Sequence, residues 1–167
     1  MLAPKNILVA TDFSDTSISA LAYGRVLARA FGARLHILHV VEAFSMDSAV
    51  FGTFAAPVVA VEAELESAAR EALDKMVTDE DRRELSAVVA LRVLDTPAHA
   101  IVQYSGEEQI DLIVVGTHGR TGLSHMLMGS VAEKVVRMST CPVLTVRHPA
   151  REVVRAEAVE MTTQMAQ

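Results

Sequence analysis

The 167-residue chain has one cysteine, no tryptophan and few aromatic residues of any kind, 4% of the total. A single thiol, Cys141, excludes an internal disulfide framework and fits a reducing compartment. Its place just before the run PVLTV reads as that of a small buried hydrophobe. Positive charge is also scarce. There are 15 Lys and Arg against 21 Asp and Glu, a net charge of -6, and the basic residues are scattered. That pattern argues against nucleic acid as a partner, since a duplex binder needs a basic patch or stripe. Long apolar runs are missing as well: the longest weakly apolar stretch, 49–61, holds Gly52, Thr53 and Pro57, too short and too interrupted to span a bilayer. The N-terminus MLAPKNILVATD lacks the apolar length and the cleavage site of a signal peptide. These readings predict a cytoplasmic protein without a membrane partner. No internal repeat is visible.

What the chain does have is an alternation of short apolar runs with amphipathic stretches. KNILVAT (5–11) reads as a strand buried on both faces, and RLHILHVV (34–41), SAVVALRVL (86–94), DLIVV (111–115) and VLTV (143–146) read as the further strands. Between the first two, Ser14, Asp15, Thr16 and Ser17 are N-cap candidates. Ile18, Leu21, Ala22 and Leu27 follow at helical spacing, and Gly32 is placed to close the helix. Residues 43–57 have no period and read as a long loop. Val61, Leu65, Ala68, Ala69, Ala72, Leu73 and Met76 mark an amphipathic helix. TDEDRRE (78–84) reads as a solvated helix end and turn. Pro97 suits the first turn of a helix that runs to about Gly106. From Ser130 a helix carries Val131, Val135 and Met138 on one face. Pro142 ends it and opens an edge strand. The order β-α-β-α-β-α-β-α-β predicts an α/β fold with an open five-stranded parallel sheet and helices on both faces. Residues 1–148 form one domain, and 149–167 a tail that is a frayed helix, disordered, or a partner contact.

In such folds ligands bind beyond the C-terminal strand ends. Those ends lead into Thr11-Asp12, Val40-Val41 and GTHGRTGLSHMLMGS, residues 116–130. The glycine segment reads G-x2-G-x9-G-S, from Gly116 through Gly119 to Gly129-Ser130. It is neither a Walker A loop nor a G-x-G-x-x-G fingerprint. It follows a strand and precedes a helix, where backbone amides and the helix dipole favour a phosphate. Gly116 and Gly119 can let the backbone approach a ligand. Ser130-Val-Ala-Glu133 also matches a capping box, so Ser130 reads first as an N-cap, a role compatible with an anion at the neighbouring amides. Asp12 serves either a ligand or its own turn. His36 and His39 fall on opposite faces of one strand and cannot share a metal. His118 and His125 flank the glycine loop without a carboxylate or thiol cluster, so no metal site built of protein ligands alone is expected. Ser/His/Asp catalysis lacks a G-x-S-x-G elbow. A phospho-receiver would need an acidic pair after the first strand and a lysine after the fifth, where this chain has Asp12 alone and Arg147-His148.

NILVATDFSDTSISAL and DLIVVGTHGRTGLSHMLMGSVAEKVVRMSTCPVLTVR closely resemble the universal stress protein family, over residues 4–147, in its ATP-binding branch. The resemblance implies the strand order 3-2-1-4-5, ATP or AMP with Mg or Mn on the phosphates, and a homodimer through the edge strand 143–146. Carried over by position, it places Ala10 and Asp12 on the adenine and ribose side and Val40 beside the base. It sets Val115 in the pocket wall, and Gly116, Gly119, Gly129, Ser130 and Val131 on ribose and phosphates. Arg120, next to Gly119, reads either as a cation for the phosphates or as a solvated loop residue. Asp95-Thr96-Pro97 departs from the family, which often has glycine before that proline. The function so implied is a nucleotide-dependent regulatory module in the stress response, read by a downstream protein. A slow ATPase or phosphotransfer enzyme and a nucleotide-free dimerisation scaffold are the alternatives.

Overall fold

In a computed structural model, strands Asn6–Thr11 (β1), Arg34–Val41 (β2), Val88–Val93 (β3), Leu112–Gly116 (β4) and Val143–Val146 (β5) pair in parallel. They form one sheet in the order β3-β2-β1-β4-β5, as expected. Helices Asp15–Phe31 (α1), Ser48–Met76 (α2), Asp79–Glu84 (α3), Pro97–Glu107 (α4) and Ser130–Met138 (α5) complete the chain order. The structure describes residues 3–42, 48–94, 96–117 and 128–147, and the side chains of 48–60 lie outside that set. The expected tail 149–167 is likewise outside the described residues.

Burial on both faces explains the continuous apolar runs of β1, β2 and β4, while the edge strands β3 and β5 are mostly half-buried or exposed. Ile7, Val9, Leu35 and Ile37 pack with Ala20, Leu21 and Ala28 of α1 and Leu73 of α2. Leu8 and Leu38 point the other way, against Ala98, Ile101 and Tyr104 of α4 and Ala132 and Val135 of α5. Each fully buried Ile or Leu contributes roughly 1.5–3 kcal/mol. His36 and His39 divide between the two faces as their spacing predicts. His36 Nδ1 meets the Tyr104 hydroxyl at 2.9 Å, while the His39 ring lies against Phe13. Gly32 ends α1 in the left-handed region, at φ 63°, and Pro97 occupies the first turn of α4.

Several expectations are corrected. Residues 48–57 are helical rather than a loop. Gly52 and Pro57 mislead there: Ala49, Ala55, Ala56 and Ala60 favour propagation from the helix downstream, at the loss of the one hydrogen bond that proline cannot donate. TDEDRRE is largely solvated, as read, but it forms a short helix of its own with one buried residue. Thr78 caps α3 in a capping box with Asp81, and Asp81 is buried, bound through both carboxylate oxygens by Arg25 of α1 at 2.8 and 2.7 Å. The strand expected over 86–94 is shorter because Ser86 turns at φ 47° and the Ala87 amide donates to the Asp81 carbonyl. Lys5 and Asp111 likewise lie outside the strands predicted to hold them: the Asp111 carboxylate accepts from the amides of Lys5 and Asn6 and ties the starts of β1 and β4 together. In α1, Leu21 is buried as its spacing suggests, but Ile18 is exposed, and Ala20, Gly24 and Ala28 complete the buried face.

Candidate functional site at the strand ends

The C-terminal ends of β1, β2 and β4 open into one cavity of about 890 Å³. Its floor comes from Ala10, Thr11, Val40, Val115 and Gly116. The N-termini of α4 and α5 supply one wall through Pro97, Ile101, Gly129, Ser130 and Val131. The other wall is α2, through Leu65, Ala68, Ala69 and Ala72. Thus Ala10, Asp12, Val40, Val115, Gly116, Gly129, Ser130 and Val131, widely separated in the chain, line a common space. Gly119, Arg120, His118, His125 and Asp95 fall outside the described residues.

The turn after β1 is built by a directed chain of hydrogen bonds. The Phe13 amide donates to Thr11 Oγ1 at 3.1 Å, and Ser17 Oγ donates to the Ser14 carbonyl at 2.8 Å. Ser17's only hydroxyl proton is thereby used, so at the 3.0 Å contact Thr11 donates to Ser17. Asp12 Oδ1 accepts from the Ser14 amide at 3.1 Å and from the Ser14 hydroxyl at 2.6 Å, so this carboxylate does brace its own turn while facing the cavity. Ser14 Oγ in turn accepts from the Ser17 amide and is the N-cap of α1.

At the far wall the expected capping box is overturned. Gly129, not Ser130, is the N-cap of α5, because the Gly129 carbonyl takes the Glu133 amide at 2.9 Å and starts the helix one residue earlier than the spacing implies. With glycine at the N-cap, no side chain caps the start of α5 from that position. Glu133 does not fold back either and instead lies 3.6 Å from Arg137. The amides of Ser130, Val131 and Ala132 precede the first intrahelical bond, and all three residues line the cavity. The buried residues of α5 are Ala132 and Val135, while Val131 is exposed, which corrects the apolar face assigned to it. Gly116 is also reinterpreted. A Cβ there would meet the Thr16 methyl at 2.8 Å and the Thr16 backbone carbon at 3.2 Å, so its bareness admits α1. Cys141 is half-buried, packed against the core under α4 and α5, with its sulfur 3.4 Å from Ser139 Oγ.

A scan against known families matches the universal stress protein family over residues 4–147. The chain belongs to this family. Universal stress protein YxiE of Bacillus subtilis is 37% identical over 144 residues, 84% of this chain and 97% of that one. Among solved structures, the Methanocaldococcus jannaschii universal stress protein MJ0577 superposes with a TM-score of 0.67 at 29% identity, covering 89% of this chain and 98% of that one. A universal stress protein in complex with cAMP superposes with a TM-score of 0.56 at 25% identity, covering 87% and 98%.

Sequence reasoning missed Phe13, Ser17, Glu42, Thr117 and the α2 wall, all of which line the cavity. His39 was weighed only as a metal ligand. The signal for it was its place in strand two, one residue before Val40. Among the described residues no group of three or more His, Cys, Asp or Glu could hold a metal ion, and no helix is long and apolar enough to cross a membrane.

Proposed function

We propose that this universal stress protein is a regulatory module that binds ATP or AMP in the strand-end cavity and acts as a homodimer in the stress response. The observation that carries the reading is the meeting of two features in one space. The first residues of α5, whose amides precede the first intrahelical bond, line the cavity, and the apolar ends of β1, β2 and β4 floor it. Amides and the positive dipole end suit phosphates. Val40, Val115 and Ile101 offer an apolar seat for a base, and Asp12 faces the same space as a partner for a ribose hydroxyl. Gly119 and Arg120 join the phosphate side in this reading, with Mg²⁺ or Mn²⁺ held by the phosphates. The related protein in complex with cAMP supports an adenine nucleotide as the class of ligand.

The side of β5 that pairs with no other strand among the described residues is the surface assigned to the dimer. The reading places the protein in the cytoplasm, where Cys141 stays a free thiol, with residues 149–167 as an appended tail beyond the nucleotide-binding domain.

The test is to denature the purified protein and identify released nucleotide by chromatography and mass, then to titrate Mg-ATP and AMP into the wild type and Gly119→Val. Stoichiometric nucleotide, with binding abolished in a folded Gly119→Val, is the expected result. An empty protein that binds neither nucleotide would overturn the reading and leave a dimerisation scaffold. ATP turnover lost with Asp12→Ala would point to the slow-hydrolase alternative.

A further inference from the structure

Resting on the nucleotide reading, we infer that His39 is the positioning residue of the site: from β2 it pins the turn that presents Asp12 to the ligand. Thr11, Asp12 and Phe13 all line the cavity, and so does His39, whose side of β2 is buried beneath them. His39 Nδ1 lies 2.7 Å from the Thr11 carbonyl oxygen. A carbonyl can only accept, so Nδ1 carries the proton and donates. The same ring packs on Phe13, with centroids 4.3 Å apart and planes inclined by 38°.

The pin matters because the turn is held in an unfavourable backbone state. Phe13 is at φ 66°, the left-handed region, which a bulky side chain occupies only when its surroundings impose it. Four local hydrogen bonds, between Phe13 and Thr11, Ser14 and Asp12 (twice), and Thr11 and Ser17, hold the turn to itself and to α1. The His39 side chain holds it to the neighbouring strand, by one hydrogen bond to the residue before Asp12 and one ring contact to the residue after it. Without it, Phe13 can relax to negative φ and swing Asp12. The ligand would then have to order the turn itself, and affinity would fall by the ordering term.

Asparagine and glutamine separate this role from simple packing. The amide nitrogen of Asn sits where Nδ1 does and can donate to Thr11. That of Gln reaches instead to the place of Nε2. The experiment compares wild type, His39→Asn and His39→Gln in two measurements: Mg-ATP affinity by calorimetry, and amide hydrogen exchange at Phe13 and Ser14 in the ligand-free proteins. The expected result is binding about tenfold weaker in His39→Gln, the size of one lost hydrogen bond, and within about twofold of wild type in His39→Asn. Exchange at the two amides should rise in the Gln variant alone. Equal loss in both variants would assign the effect to the Phe13 ring contact and overturn the inference, as would unchanged binding and exchange in His39→Gln. A wild type that binds no nucleotide would sink the nucleotide reading, while the exchange comparison would still decide whether His39 holds the turn.

Discussion

The Gly129 amide donates to the Thr117 carbonyl at 2.6 Å, and the Thr117 amide donates in turn to Val146 of the edge strand. The two ends of the glycine segment are therefore closed on each other and anchored to β5. The start of α5 is thus fixed against the end of β4 by one short bond.

That bond can be removed with little backbone strain. Gly129 has φ -72°, compatible with proline, which has no N–H to donate. Gly129→Pro should separate Thr117 from Gly129, lower stability by about 1 kcal/mol, and lower the melting temperature by roughly 2–4 °C. Circular dichroism should show helix content unchanged, and calorimetry should show weaker binding of Mg-ATP. Wild-type affinity in this variant would mean that the closure of the segment is irrelevant to the ligand.

Gly116 should tolerate no side chain for as long as Thr16 keeps its methyl. Gly116→Ala is expected to cost about 1–3 kcal/mol through overpacking against α1. Thr16→Ser removes the nearest atom but leaves the backbone carbon at 3.2 Å, so the double variant should recover part of the loss. Urea denaturation midpoints of the four proteins check this, and additive effects would contradict it.

His36 should make the fold sensitive to mild acid. Burial holds its imidazole below the ordinary 6.5, the Glu108 carboxylate opposes this and Arg34 adds to it. Its Nε2 is buried with no hydrogen-bond partner among the described residues. Tyr104, its partner at Nδ1, is pushed up to about 12 by burial and then by Glu108, so it stays a neutral hydroxyl. With the folded value depressed, the unfolded chain takes the proton first. Stability is then full above pH 6.5 and declines as pH falls from there through the folded value. Melting temperatures at about pH 7.5 and 5.5 should differ more in wild type than in His36→Asn. An equal difference in the two proteins would remove His36 from the account.

Asp81 should act in a lower window. Burial pushes its carboxyl up, but the Arg25 hydrogen bonds, the Thr78 amide and hydroxyl, and the Arg25 charge together outweigh that and hold it below 3.8. Its contribution is present above 3.8 and is lost as pH falls through the lower folded value. Arg25→Met strands a carboxylate that is 1% exposed and should cost about 2–3 kcal/mol near neutral pH. Denaturation at about pH 3 should show a smaller penalty for Arg25→Met, because protonation removes the stranded charge.

The sheet was legible because parallel strands buried on both faces read as unbroken apolar runs, and NILVAT and RLHILHVV are such runs. The cavity was legible because Asp12, Val40 and Gly116 stand at strand ends in the chain order itself. The parts that were not legible depend on contacts between distant residues. Nothing local in TDEDRRE tells that Arg25 of another helix will bury Asp81. Ser130-Val-Ala-Glu133 carries the letters of a capping box, but Gly129, whose amide is bound to distant Thr117, is the N-cap and the helix starts one residue earlier. Pro57 and Gly52 read as breakers, since the support for α2 lies downstream. His39 was visible as a letter, and its use required knowing that Thr11 would be the residue opposite.

β1 comes before the other four strands in chain order, yet it is the middle strand of the sheet. Its β2 side can be filled by the next strand in line. Its β4 side stays bare until Leu112–Gly116 has been made, and the cavity has no far wall until Ser130 follows. A chain cut before Leu112 therefore leaves that apolar edge of β1 without its β4 partner and also lacks the far wall of the pocket. A ligand in that pocket would join β1 to α5, which lie far apart in the chain.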